Sequence, residues 1–336
     1  MKSTKRSRAE RSYNRKSVVI TGGLGFIGSS LARRLVALGS KVTLVDSMIP
    51  EYGGNLFNIK GIEDKVEVNF SDVRDEHSMN FLVRNNDIMF NLAGQVSHID
   101  SIRDPYTDLE INTRSQLSIL ESCKKHNPAI KIVFASTRQM YGKPEYLPVD
   151  EKHPLKPTDV NGINKMAGEW YHVLYNNVYG IKTICLRMTN TYGPRLLMKH
   201  NRQGFVGWFV RRIIEGKPIE IYGSGKQRRD LNYIDDVVEA LLIAGYDDLL
   251  NGQIFNLGNT PPISLEEIAR MLIRIYGSGR YRLIPFPGEM KRIDVGDYYA
   301  AFDKFKDATG WEPRVSYEEG FRRMLAFYKK HKRHYW

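Results

Sequence analysis

Val18-Val-Ile-Thr-Gly22-Gly-Leu-Gly25-Phe-Ile-Gly28 is an apolar run that breaks into glycines and resumes as Ser29-Ser-Leu-Ala-Arg-Arg-Leu-Val-Ala-Leu38. The order is strand, tight turn, helix. Gly22 permits the sharp turn, Gly25 lets backbone approach a pyrophosphate, and Gly28 lets the helix pack against the strand. The unpaired N–H groups of the helix's first turn then face the phosphates. Three glycines in a loop also occur by chance, so the flanks decide. Gly39 closes the helix, and Lys41-Val-Thr-Leu-Val-Asp46 reads as a second parallel strand that ends in an acid. A carboxylate there takes the adenosine ribose hydroxyls and repels an added phosphate. No Arg follows in the next few residues, so NAD is expected rather than NADP.

Outward from this unit, strands and helices alternate. Ser47 to Gly61, with Pro50, Gly53 and Gly54, is a loop of a size that crosses a cofactor. Lys65 to Val73 alternates as a third strand, and Asp87 to Gly94 is a buried strand ending in small residues. Pro105 to His126 is an amphipathic helix, Lys131 to Thr137 a strand, Asn161 to Tyr179 a helix and Lys182 to Met188 a strand. Such alternation predicts an α/β chain with a doubly wound parallel Rossmann sheet and its ligand at the carboxyl ends of the strands. After Asn190 the pattern changes. We expect residues 17–189 to form the dinucleotide-binding domain, with about 232–260 returning to its sheet through Gln253 to Gly258. Residues 190–231 and 261–330 are expected to form a smaller α/β substrate-binding lobe.

With 336 residues, 42% of them hydrophobic, the chain can bury a large core. No apolar run reaches membrane-spanning length, and the first residues lack an apolar signal core, so a cytoplasmic protein without a membrane partner is expected. Cys123 and Cys185 are too few and too internal for a disulfide framework, and no metal is expected. The net charge of +12 would suit nucleic acid if it covered one face. Instead it gathers at the ends: Lys2, Lys5, Arg6, Arg8, Arg11, Arg15 and Lys16 against Glu10, then Lys329, Lys330, Lys332 and Arg333. We read both basic ends as solvated, residues 1–16 as a disordered tail, and expect no nucleic-acid partner.

From about Ser17 to Tyr328 the chain resembles extended short-chain dehydrogenases/reductases of the nucleotide-sugar epimerase and dehydratase group. Thr21 to Gly28 is similar to that family's cofactor loop, which implies contacts from Gly22, Gly25, Phe26, Ile27 and Gly28. The resemblance also implies that Asp72 and Val73 meet adenine and that Leu92, Ala93 and Gly94 line the ribose and nicotinamide. Asn112, Met188 and Lys165 would complete the NAD site. Leu186 to Pro194 and Tyr222 to Asp230 resemble the segments whose Asn190 and Arg229 meet a nucleoside diphosphate sugar, and Arg292 with Asp294 resembles the last phosphate contact. Arg suits a diphosphate because its planar fork binds oxygens in pairs. Homodimerisation through Pro105 to His126 and Asn161 to Tyr179 is implied as well.

The catalytic positions depart from the family. There a Ser or Thr acts with a Tyr and a Lys four residues apart on one helix face. Thr137, with Ser136 beside it, supplies the hydroxyl and Lys165 the ammonium, but Asn161 stands where the tyrosine belongs. A phenol beside a lysine and a nicotinamide cation can serve as base near neutral pH, whereas a carboxamide cannot. Arg138 and Gln139 replace the acids that dehydratases and decarboxylases carry there, so a transient oxidation at C4 of a hexose followed by epimerisation is the preferred reaction. Arg138 would then meet an acidic sugar group or form wall. Lys165 acting through Asn161 or a water, Thr137 as a relay, Tyr141 and His98 all stand as candidates for the proton. A silent NAD and sugar-nucleotide binding protein, and a dehydratase, stand as the alternatives.

Overall fold

The computed structural model describes residues 8–49, 51–288, 291 and 293–336. Seven strands form one sheet: β1 (Ser17–Thr21), β2 (Lys41–Val45), β3 (Val66–Asn69), β4 (Ile88–Asn91), β5 (Lys131–Thr137), β6 (Thr183–Met188) and β7 (Ile254–Asn256). Their order is β3-β2-β1-β4-β5-β6-β7, and every neighbouring pair is parallel. β1, β4 and β6 are almost wholly buried, as unbroken apolar runs are when helices cover both faces of a sheet. The strand order reverses between β1 and β4, and a crevice opens at their carboxyl ends. Thr21 stitches that point: its hydroxyl donates to Asn91 Oδ1 (2.9 Å) and accepts from the N–H groups of Leu92 and Ala93 (both 3.1 Å).

After β6 the chain builds a second layer of structure. It comprises helix Phe205–Ile214, a parallel pair of Ile219–Tyr222 with Tyr281–Ile284, and helices Leu265–Tyr276 and Tyr317–His331. Ser264 and Glu267 close a capping box at the start of the Leu265–Tyr276 helix. Two short ladders join this region to the crevice, Asn190–Tyr192 with Leu231–Tyr233 and Arg228–Arg229 with Ile263–Ser264. One buried cluster runs from Val18 and Leu31 through Ile234 to Phe209, Leu272 and Phe321, so both regions share a core.

Three expectations are corrected. Residues 1–7 lie outside the described residues, but the rest of the basic tail is docked. Arg8–Tyr13 is a helix, and Tyr13 is fully buried with its hydroxyl donating to Leu242 O (2.8 Å). Lys16 pairs with Asp87 at 2.9 Å. A single aromatic anchor outweighs the surrounding charge, because its burial removes a large apolar surface from water. The basic C-terminus is docked too: the rings of His334 and Phe57 stack at 3.7 Å, and Tyr335 donates to Asn58 Oδ1 (2.7 Å). Third, the helix expected from Pro105 to His126 is interrupted. Pro105–Leu109 and Ser115–His126 flank a π turn over Glu110–Arg114, whose displaced Ile111 carbonyl accepts from Ser115 Oγ (2.6 Å) and Gln116 Nε2 (3.1 Å). Among the described residues no helix is long and apolar enough to cross a membrane.

Candidate active site

Helix Phe26–Ala37 starts at Gly25 with no side-chain cap and no acid in its first turn, which leaves its N–H groups and positive dipole end to an anion. A Cβ at Gly28 would fall 2.2 Å from Gly22 O, so the turn and helix close on each other only with glycine there. Asp46 sits at the end of β2 and accepts from Leu24 N (3.0 Å) and Met48 N (2.9 Å). Burial raises its pKa against the pull of those two bonds. A carboxylate has more lone-pair sites than these two, so capacity for ribose hydroxyls remains.

These groups line one cleft with Phe26, Ile27, Asp72, Val73, Leu92, Ala93 and Gly94. Asp72 is forked by Arg74 at 2.6 and 2.9 Å. Tyr52, Leu196 and Leu197 close the other side; they come from loops without local signal and were not legible as ligands. Asn112 does not line this cleft but lies beneath it. Its Nδ2 donates to Gln95 O (3.0 Å), while its Oδ1 is buried without a hydrogen-bond partner. A Cβ at Gly94 would meet Lys165 Nζ at 2.5 Å and that Oδ1 at 3.0 Å, so both crowd one point behind the flat glycine backbone. The cradle, the acid, the Lys165 ammonium and the unpartnered Asn112 Oδ1 fit a dinucleotide with its ribose over Gly94.

A second cleft of about 380 Å³ shares Phe26, Ile27, Leu92, Val96 and Leu196 with the first, and its size is that of a small-ligand site. Met188, Asn190, Arg138, Arg202 and Arg229 line it. Asn190 Nδ2 donates to Asp230 O (3.3 Å). Arg229 is buried, donates to Arg228 O (2.9 Å) and Gly296 O, and stands 3.8 Å from Asp294. Burial foremost, then Arg138, lowers its pKa to about 10. Arg138 stacks on the Tyr298 ring at 4.8 Å, with no ion pair among the described residues. Arg292 lies outside the described residues.

The catalytic candidates divide. Thr137 ends β5 on the cleft wall and accepts from Gln139 N (3.2 Å). Lys165 is buried on the same wall, with Nζ 3.4 Å from Ala135 O and 5.3 Å from the Phe134 ring centre. Burial lowers its pKa to about 8, while Asp108 acts to raise it. Asn161 also reaches the cleft, but its Nδ2 donates to Gln95 O (2.7 Å) and to Asp108 Oδ2 (2.9 Å). Asn164 donates to the other oxygen of Asp108 (2.7 Å). The carboxamide at the tyrosine position is thus spent on holding a buried carboxylate and the Gln95 loop.

Tyr141 does not join the site. It is fully buried; its hydroxyl donates to Asn256 Oδ1 (2.8 Å), accepts from Arg187 (2.6 Å), and is pushed up to about 12 by burial. Ser136 borders the cleft, yet its hydroxyl donates to Glu169 (2.5 Å), which is forked by Arg187. Alternation along β5 turns Ser136 and Thr137 to opposite faces, so only one of the two hydroxyls faces the ligand space.

His98 opens helix His98–Arg103 and borders the cleft. Its Nδ1 hydrogen-bonds Asp159, and its Nε2 lies 2.9 Å from Gln139 Nε2. Asp159 caps helix Val160–Tyr179 by accepting from Gly162 N (2.8 Å). Burial acts to raise its pKa, but His98 and the Gly162 N–H outweigh that and lower it. Asp159, Gln95 and Asp108 were missed from sequence. An Asp directly before an apolar-periodic helix is an N-cap signal that would have marked Asp159, though not its partner.

A family model described as the NAD dependent epimerase/dehydratase family matches residues 18–258. The UDP-glucose 4-epimerase of Mycolicibacterium smegmatis is 29% identical over 93% of this chain and 98% of its own. The UDP-glucuronic acid decarboxylase 1 of Xenopus tropicalis is 30% identical over 96% of this chain and 74% of its own. The structure of a Thermotoga maritima UDP-glucose 4-epimerase with UDP-glucose superimposes with a TM-score of 0.84 at 30% identity, covering 94% of this chain and 99% of that one. A match over most of the chain, on a sheet and crevice of the same build, establishes that this chain belongs to the NAD dependent epimerase/dehydratase family.

Proposed function

We propose that the protein is an NAD-dependent nucleotide-sugar epimerase that oxidises a nucleoside diphosphate hexose transiently at C4 and reduces it again. The observation that carries this reading is that the two clefts join along Phe26, Ile27, Leu92, Val96 and Leu196, while Lys165, Thr137, Asn190 and Arg229 all line the second. NAD, when bound, supplies the hydride acceptor. Lys165 anchors its ribose, Thr137 orients the sugar hydroxyl, and Arg229 and Arg292 neutralise the diphosphate while Asn190 donates a hydrogen bond to it. Arg138 and Gln139 offer no carboxylate for elimination or decarboxylation, which favours epimerisation over the reaction of a dehydratase. Residues 190–231 and 261–330 serve as the lobe that receives the sugar nucleotide. Free, buried Cys123 and Cys185 suit a reducing cytoplasm.

Two copies are proposed to pair through helix Val160–Tyr179 and the short helices beside it. Ile163, Trp170, Leu174 and Val178 are exposed along that helix, and Ile102, Tyr106 and Leu109 next to it. Such a contiguous apolar face suits a partner surface.

The test is a panel of UDP, GDP, CDP and dTDP sugars, with transient NADH absorbance and the sugar products as readouts. One member should turn over, and Arg229→Ala should weaken its binding by roughly 1.5 to 3 kcal/mol, the scale of a hydrogen bond to a charged group. The commitment of Asn161 to Asp108 favours one rival, a binding protein without chemistry; tight binding of a sugar nucleotide with no NADH and no product across the panel would establish it instead.

A further inference from the structure

We propose that His98, held by Asp159, is the group that takes and returns the sugar's proton in place of the absent tyrosine; this rests on the epimerase reading above. The need comes from Asn161, which has no proton that titrates near neutrality and whose Nδ2 is engaged with Gln95 and Asp108. The means comes from the same wall of the second cleft, which His98 shares with Thr137, Gln139, Asn161 and Lys165.

The arrangement is that of an oriented base. Asp159 is almost fully buried and divides its oxygens, one taking the helix-capping N–H of Gly162 and the other His98 Nδ1. The capping duty is met by one oxygen, so the His98 bond is surplus to it. A carboxylate on Nδ1 selects the tautomer whose lone pair is on Nε2, and it stabilises the imidazolium once a proton arrives. The ring remains one-third exposed, open to the cleft rather than sealed as wall.

Gln139 completes the device. Its Nε2 meets the His98 Nε2 at 2.9 Å and makes only a long 3.5 Å contact to Val96 O, and its Oε1 is buried without a partner. Amide orientation is an assignment, and exchange of the two ends places Oε1 against the ring. One orientation donates to the neutral imidazole and the other accepts from the imidazolium, so a half-turn of this amide serves both charge states. An entering sugar hydroxyl displaces the Gln139 N–H as donor to Nε2. As the C4–H bond gives its hydride to bound NAD, the O4–H bond breaks, its electron pair closes the C4=O bond, and the proton passes to His98 Nε2. The return step sends that proton back to O4 as hydride adds to C4. Lys165 is the weaker claimant because its Nζ is aimed at Ala135 O and the Gly94 backbone, on the ribose side.

The experiment compares wild type, His98→Asn, His98→Gly and Asp159→Asn with the sugar nucleotide that the panel identifies. Asn is also a good N-cap, so Asp159→Asn keeps the helix start while removing the charge. His98→Asn should lower kcat by about a hundredfold or more, the usual scale for removing a general base, with NAD affinity unchanged and KM within about threefold. Added imidazole should restore part of the His98→Gly rate, and Asp159→Asn should lower kcat while sparing KM. Independently of turnover, the proton NMR spectrum of the substrate-free protein should contain a far-downfield imidazole N–H resonance, lost in both His98→Asn and Asp159→Asn. An active wild type whose His98→Asn variant keeps a kcat within threefold overturns the assignment and leaves the epimerase reading standing. Absence of the downfield resonance overturns the His98–Asp159 pairing. A wild type silent with the whole panel overturns both.

Discussion

Lys165 is a cation where the folded chain solvates charge least, and the consequence can be given a sign. Its pKa falls from 10.5 in the unfolded chain to about 8, burial being the cause. Below pH 8 both states carry the proton and the folded state bears the full cost, about 3 kcal/mol for a shift of this size. Between pH 8 and 10.5 the unfolded chain holds more protons than the folded one, so this group's penalty diminishes as pH rises through that window. Lys165→Met should therefore make the NAD-free protein more stable at pH 7, by about 1 to 3 kcal/mol in urea titrations, while abolishing turnover and weakening NAD binding. A variant less stable than wild type would show that the ammonium is better solvated than its surroundings indicate. Asp46 poses a second question at this scale. NAD should bind at least about tenfold tighter than NADP by calorimetry, and Asp46→Ala should narrow the gap because the repelling carboxylate is gone; equal affinities in the wild type would remove Asp46 from the ribose site.

At the scale of elements, helix Arg8–Tyr13 shows how one side chain recruits a charged segment. Tyr13 fills a space against the Ile234–Tyr246 helix, its ring edge-on to Tyr246 at 6.3 Å and its hydroxyl satisfied by Leu242 O. Tyr13→Ala should cost about 3 kcal/mol or more in chemical denaturation, the usual loss when a buried aromatic is truncated and a cavity remains. Helix Val160–Tyr179 carries more separate duties than any other element described. Its cap Asp159 holds His98, its first two turns supply Asn161 and Asn164 to Asp108 and Lys165 to the cleft, and its outer face is apolar.

For the whole molecule, that outer face bears on assembly. Trp170 is 51% exposed and Val178 61%, a large apolar area for a lone helix to leave in water. Light scattering of the wild type should give twice the 38.7 kDa chain mass, and Trp170→Glu with Val178→Glu should give the chain mass alone. A monomeric wild type at micromolar concentration would exclude this face as a self-association surface. The basic balance bears on the ends: the cations of the C-terminal segment surround an anchored Tyr335 and a stacked His334 instead of a free tail.

The doubly wound sheet and most of the NAD cleft were legible because their causes are local. A glycine triplet between an apolar run and a helix, a strand ending at Asp46 and the alternation of β1 to β6 each fit within a short window, where backbone freedom and side-chain period act directly. Thr137, Lys165, Asn190 and Arg229 came from the family resemblance rather than from local pattern, and all four line the second cleft. The fate of Tyr141 was not, since only the packed core sets its hydroxyl against Arg187 and Asn256, 46 and 115 residues away. Tyr13 reaches a carbonyl 229 residues on, and a basic segment offers no local sign of such an anchor. His98 could be named from sequence as one candidate among four, but its pairing with Asp159, a helix cap 61 residues away, could not. Sequence supplies the side chains and the elements that carry them; which carboxylate meets which imidazole is decided by how β4 and the Val160–Tyr179 helix come together, because a hydrogen bond demands ångström proximity that no local periodicity encodes.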